Sequence, residues 1–256
     1  MINKKLVALA SLATLGLTMI PAGVIFAEEK SLNSNARISF TVDNSAKSPL
    51  DPTQPANPGV STEQNPISPI DSVTGGTPNK GTAGPLSIDF ASSFNFGSHD
   101  ISSVTKIYYA SAQNYTQKTG SLAKDTTGPN FVQVTDVREG DLKGWSLKVK
   151  QNGDFKTADG KTLEGALLTI KNGNALNGNG GEDTIEQVSK EIQLSSADSN
   201  VMGAKVGQGR GSWLYRMGTK ETAGSSVSLT VPGNISRVEA AYTTTLTWTL
   251  SDTAVK

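Results

Sequence analysis

The 256-residue chain contains no cysteine and a single histidine. Without cysteine it has no disulfide to stabilise it and no thiol to take a lipid after an export leader. The lone histidine, His99, sits in the run Ser98-His99-Asp100. Adjacent residues do not converge as a catalytic triad does, and no nucleophile elbow accompanies them, so a solvated loop histidine is expected. Paired carboxylates for glycoside cleavage meet in space rather than in sequence, and nothing singles out a pair. No catalytic residue, cofactor or metal ligand set is therefore expected. Charge is sparse too: Asp, Glu, Lys and Arg make up 18% of the chain and balance at a formal net charge of zero. That excludes a basic nucleic-acid binder. Outside the first few turns of sequence, no stretch sustains a 3.6-residue apolar period long enough for a helix. There is no Leu-Pro-x-Thr-Gly sorting signal, and no apolar tail follows Asp252.

What is present begins with an export leader, residues 1–27. Lys4 and Lys5 precede an apolar run over residues 6–20, and Pro21 and the small Ala27 follow, with cleavage expected after Ala27. The run is short for a membrane span and polar residues come next, so no membrane span is expected once the leader is removed. Of the 23 basic residues, Lys4 and Lys5 leave with the leader, so 21 remain against 23 acidic ones. Long-range steering of a charged partner is expected to be weak. A secreted chain with no covalent or lipid tether either diffuses away or is held noncovalently at the cell surface.

Residues 28–45 form a mature N-terminus in which Ile38, Phe40 and Val42 share one face of a short strand. Residues 46–83 are rich in proline (Pro49, Pro52, Pro55, Pro58, Pro66, Pro69, Pro78) among Asp, Asn, Thr, Gly and Ser. Proline removes a ladder donor and the apolar content is low, which predicts a mobile loop or linker. From residue 84 to 256 come short strands punctuated by turn residues, at 86–90, 94–96, 106–110, 131–137, 145–151, 167–171, 190–194, 212–217, 226–231 and 237–250. One helical turn is expected near 184–189. This spacing predicts an all-β fold, an antiparallel β-sandwich or barrel-like domain with long loops. The stretch 172–183, rich in Gly and Asn and ending in Glu182 and Asp183, reads as a surface loop. It has oxygen ligands that suit Ca²⁺ but not the spacing of an EF-type loop. Residues 152–160 read as a hairpin turn.

The strongest strand pattern is Tyr242 to Asp252, in which Tyr242, Leu246, Trp248 and Leu250 face one way and four threonines the other. A second Trp-x-Leu lies at Trp145 and Leu147, with Val149 on the same side. A Trp with a same-face Leu fits ordinary core packing. A mixed arrangement, with the Leu and part of each indole buried and one ring edge exposed, is also reasonable. Trp213 and Tyr215 share a strand face between Arg210 and Arg216. Those guanidinium groups suit carboxylates or other anionic groups, although a core Trp with solvated Arg neighbours is the plainer reading.

Two Trp-x-Leu strands, one central and one terminal, resemble the WxL family of cell-surface proteins from low-GC Gram-positive bacteria. The resemblance extends to Gly84-Pro85-Leu86-Ser87-Ile88-Asp89-Phe90, Phe94-Asn95-Phe96-Gly97 and Tyr108-Tyr109-Ala110. It continues through Asn130-Phe131-Val132-Gln133-Val134-Thr135-Asp136 and Gly144-Trp145-Ser146-Leu147, and closes on Leu246-Thr247-Trp248-Thr249-Leu250-Ser251-Asp252. It implies that residues 84–256, with the strand near Ile38 packed on them, form a module that holds peptidoglycan. On that reading Trp145, Leu147, Trp248 and Leu250 are the cell-wall-binding motif, and Trp213, Tyr215, Arg210 and Arg216 are accessory contacts. The alternative it implies is a protein-interaction subunit that assembles with membrane-anchored partners or other WxL-system surface proteins; adhesion is suggested for some relatives.

Overall fold

The computed structural model describes residues 29–56, 63–119, 122–180 and 184–256. The expected leader lies outside them. The described residues contain fifteen strands and no helix, hence none long and apolar enough to cross a membrane. In chain order the strands are β1 Ile67–Pro69, β2 Leu86–Ala91, β3 Lys106–Tyr109, β4 Gln113–Thr119, β5 Leu122–Gly128, β6 Asn130–Asp136, β7 Trp145–Gln151 and β8 Leu167–Ile170. They continue with β9 Gly173–Asn177, β10 Gln187–Val188, β11 Ile192–Gln193, β12 Ser199–Ala204, β13 Gly211–Met217, β14 Val227–Val231 and β15 Leu246–Ser251. All pair antiparallel, in four sheets ordered β2-β6-β13-β9, β10-β12-β7-β15, β11-β8-β14-β3 and β1-β4-β5. The all-β expectation holds.

The sheet β2-β6-β13-β9 is the middle layer, because its central strands are covered on both faces. Side chains alternate along a strand, and every residue of β6 is buried. Val132 and Val134 enter one core with Trp213 and Tyr215 of β13, where they meet Trp145, Leu147 and Met202 from one neighbouring sheet and Leu168, Ile170 and Leu229 from another. Phe131 and Leu214 face the other way and pack with Phe90, Leu50, Ile67 and Tyr115. This second face also encloses polar groups. The Asp89 carboxylate accepts hydrogen bonds from Ser87 Oγ (2.6 Å), Thr135 Oγ1 (2.6 Å) and Gln133 Nε2 (2.8 Å). Gln133 Oε1 accepts from the Leu50 amide at 2.8 Å, and Gln133 Nε2 also donates to the Ser48 carbonyl at 3.1 Å.

Those contacts correct the mobile linker expected over residues 46–83. Leu50, Asp51 and Ile67 are buried, and β1 pairs with β4. Asp51 Oδ1 collects the Thr53 amide (2.7 Å), the Thr53 hydroxyl (2.6 Å) and the Tyr115 hydroxyl (3.1 Å), while Oδ2 accepts from Gln117. Two apolar anchors and one carboxylate fix the segment where composition alone gives no core; residues 57–62 within it lie outside the described set. Residues 36–42 carry no strand, and Ile38 and Phe40 are exposed. The short strand expected there is absent among the described residues. The expected strand at 94–96 is absent, and the helical turn near 184–189 is replaced by β10. The loop expected at 172–183 begins instead with β9, which pairs with β13 from Trp213↔Asn177 to Met217↔Gly173; Glu182 and Asp183 lie outside the described residues. The turn expected at 152–160 is centred slightly later, where Gly160 N donates to the Thr157 carbonyl at 2.9 Å and Gly160 takes φ +81°.

Candidate functional site: the paired Trp-x-Leu strands and their groove

The two Trp-x-Leu segments are hydrogen-bonded neighbours. β15 runs antiparallel to β7 with Leu250 opposite Leu147, Trp248 opposite Val149 and Leu246 opposite Gln151. All of these face the core. On its other side β7 pairs with β12, placing Met202 beside Leu147 and Ala204 beside Trp145. β7 is therefore interior to its sheet and β15 is an edge strand. The strand expected at 237–250 is confined to its end, with Thr243 held by an isolated bridge to Lys156.

Position in the sheet separates the two motifs. Trp145 and Leu147 are fully buried, and Trp145 Nε1 donates to the Gly209 carbonyl at 2.9 Å. Gly209 sits at φ +86°, and a Cβ there would come within 2.5 Å of Trp145 Nε1 and 2.4 Å of Ala204 Cβ, so the approach requires glycine. Trp213 is also core, with Nε1 donating to the Arg210 carbonyl at 3.2 Å. Tyr215 is buried and its hydroxyl donates to the Ser189 carbonyl at 2.7 Å; burial raises its pKa well beyond the ordinary phenol range. These four side chains are closed to any ligand. Trp248 and Leu250 are half-buried. Trp248 is the one tryptophan whose indole N–H meets no protein acceptor among the described residues, which leaves that donor for solvent or a ligand.

Trp248 and Leu246 form one wall of a groove of about 640 Å³. Phe94, Phe96 and Phe155 also line it, the last two meeting edge to face at 6.3 Å between centroids. Asp71, Lys80 and Thr245 add polar groups. Burial pushes the Asp71 pKa up, but hydrogen bonds from Ser93, Thr74 and Val73 outweigh it and hold the carboxyl below its ordinary value, so it presents a charge. Aromatic surface with a few placed polar groups is the usual make-up of a small-molecule or sugar site. Reading the sequence missed Phe94, Phe96 and Phe155 as site residues. The available signal was aromatic residues placed beside turn residues rather than inside a sustained strand pattern.

The accessory arginines are not assembled around Trp213. Arg216 lies on the opposite face of β13 from Trp213 and Tyr215, its Nε donating to Asn174 Oδ1 and its Nη1 to the Pro52 carbonyl. Burial lowers its pKa, opposed by the nearby Glu221. Arg210 is exposed and secures a loop, donating to the carbonyls of Arg138 (3.1 Å) and Gly140 (2.7 Å). His99 is exposed and stacks on Tyr108 with centroids 4.2 Å apart, its Nε2 2.6 Å from the Phe96 carbonyl. Among the described residues no group of three or more His, Asp and Glu side chains is placed to hold a metal ion.

The family model for the WxL domain, described as surface cell wall-binding, matches residues 27–254. The chain belongs to the WxL domain family. No curated protein and no solved structure matches it. The match takes in both Trp-x-Leu strands and the docked Pro-rich segment, so membership rests on nearly the whole chain rather than on two tripeptides. It supports a cell-surface protein that binds the cell wall.

Proposed function

We propose that this WxL protein is exported, loses residues 1–27, and is held noncovalently on Gram-positive peptidoglycan through the groove beside Trp248. The observation that carries this reading is the contrast among the tryptophans: two are sealed in the core with their N–H groups bonded, while Trp248 keeps a free N–H and part of its ring on an aromatic groove. A sugar face stacked on that ring, with hydroxyls meeting Asp71, Lys80 and Thr245, matches the groove's chemistry. The role is binding without catalysis. Cosedimentation of the chain from Glu28 onward with purified sacculi tests it; recovery entirely in the supernatant would sink it.

A second reading, a subunit that assembles with membrane-anchored surface proteins and serves adhesion, is favoured by the open edge of β15. Asn152 N donates to the Thr245 carbonyl at 2.9 Å. Bonded pairs alternate along an antiparallel ladder, so the main-chain groups of Leu246, Trp248 and Leu250 point away from β7, where a partner strand can add. Affinity capture from solubilised envelope that retains no membrane-anchored protein in a Trp248-dependent manner counts against it.

A further inference from the structure

A second open edge lies away from the groove. β3 ends the sheet β11-β8-β14-β3 and pairs with β14 from Tyr109↔Ser228 to Lys106↔Val231. Ala110 N donates to the Val227 carbonyl at 2.9 Å, continuing that register. By the same alternation, Lys106, Tyr108 and Ala110 turn their main-chain groups to β14, and Ile107 and Tyr109 turn theirs outward. Among the described residues nothing hydrogen-bonds to those outward groups. The side chains are open as well: Ile107 is 55% and Tyr109 50% exposed, near Ile101 at 64% and Val104 at 57%. Edge strands are normally short, charged or covered, because an apolar open edge recruits another strand. Here a single lysine, Lys106, protects it.

The chain also carries an unused strand. In residues 37–42 the apolar side chains alternate, and Ile38 and Phe40 are 77% and 87% exposed. The family match includes this segment. We propose that residues 37–42 of a second copy add to the edge of β3 as a fifth antiparallel strand, with Phe40 opposite Ile107 and Ile38 opposite Tyr109. That register makes two aromatic–β-branched cross-strand pairs, a favoured combination, and directs the main-chain groups of both pairs at one another. The donor is a second copy because the chain joins its own domain through Ser48 and Leu50. Both bond to Gln133, on the face of the middle sheet turned away from the core that β3 covers. Pairing of this kind is head-to-tail and builds chains of subunits rather than closed dimers.

Sedimentation velocity on the chain from Glu28 onward is expected to show concentration-dependent association, weakened about tenfold by Phe40→Asp and by Ile107→Asp. Both sites are exposed, so circular dichroism of the two variants should match the parent. Because the chain lacks cysteine, a mixture of the single variants Thr41→Cys and Lys106→Cys is expected to give an oxidised heterodimer. A parent chain that stays monomeric overturns the proposal. So does association that survives Phe40→Asp, which would set β3 against another surface, or a Thr41→Cys/Lys106→Cys double variant that closes within one chain. None of these outcomes bears on sacculus binding, which the groove governs.

Discussion

Leu147 and Leu250 stand directly across from each other on β7 and β15, on the face turned to the core. The position alternates with the bonded pairs, so their Cα atoms approach to about 4.5 Å. Leu147 is fully buried because β12 and β15 flank β7, whereas Leu250 is half-buried because β15 has a neighbour on one side only. Two copies of one tripeptide thus have different tasks: the first seals the core, and the second closes the sheet while leaving its tryptophan beside a groove.

Trp145→Ala is expected to lower stability by about 3–5 kcal/mol, the usual cost of emptying a core tryptophan site. The Gly209 carbonyl would also lose its donor. That loss is a large share of a domain's typical stability, so urea unfolding followed by far-ultraviolet dichroism should show a much lower midpoint. A midpoint within error of the parent would contradict the burial described for Trp145.

Trp248→Ala should behave differently. Because Trp248 is only partly buried against the core, the expected stability loss is about 1–2 kcal/mol, and the fold persists at room temperature. Binding to sacculi is expected to fall about tenfold or more, equivalent to about 1.4 kcal/mol. Retained binding in a folded Trp248→Ala chain moves the wall contact away from the groove.

How legible these differences were depended on whether the signal was local. The residues of β7 follow from the alternation Trp145, Leu147, Val149 with polar partners between them, and β6, β8 and β14 were visible within a residue or two at each end. The strands β4 and β9 were not, because Gln113-Asn114-Tyr115-Thr116 and Gly173-Asn174-Ala175 are polar or small. They are strands because Tyr115 and Leu176 find apolar neighbours brought from far along the chain. Burial of Asp51, Asp89 and Gln133 is likewise unreadable from hydropathy, since each is stabilised by partners dozens of residues away. The unequal exposure of the two Trp-x-Leu motifs follows from strand order, which no window of sequence contains.

The docking of the Pro-rich segment can be tested at its anchors. Leu50→Ala is expected to cost about 2–5 kcal/mol, as for other buried leucines. The amides of Asp51 and Ile67 donate to the Asn65 and Pro49 carbonyls at 2.9 and 2.8 Å. In native-state hydrogen exchange both should be protected in the parent and should exchange faster in Leu50→Ala. Rapid exchange of both amides in the parent would restore the mobile linker that the composition suggested.

Asp89 gives the fold a pH dependence. Burial is the main influence on its carboxyl and raises the pKa above 3.8, although hydrogen bonds from Ser87, Thr135 and Gln133 pull the other way. A folded-state pKa above the unfolded one means that the native state holds this proton more tightly. The contribution to stability is therefore complete below the ordinary carboxyl pKa and is lost as pH rises through the folded value. Asp89→Asn removes the titration. Measured by urea unfolding, the stability of Asp89→Asn relative to the parent is expected to rise between pH 4 and neutrality, whatever its absolute offset from the altered hydrogen bonds. A relative stability that falls over that interval would mean the three donors outweigh burial, with the folded pKa lying below the unfolded one.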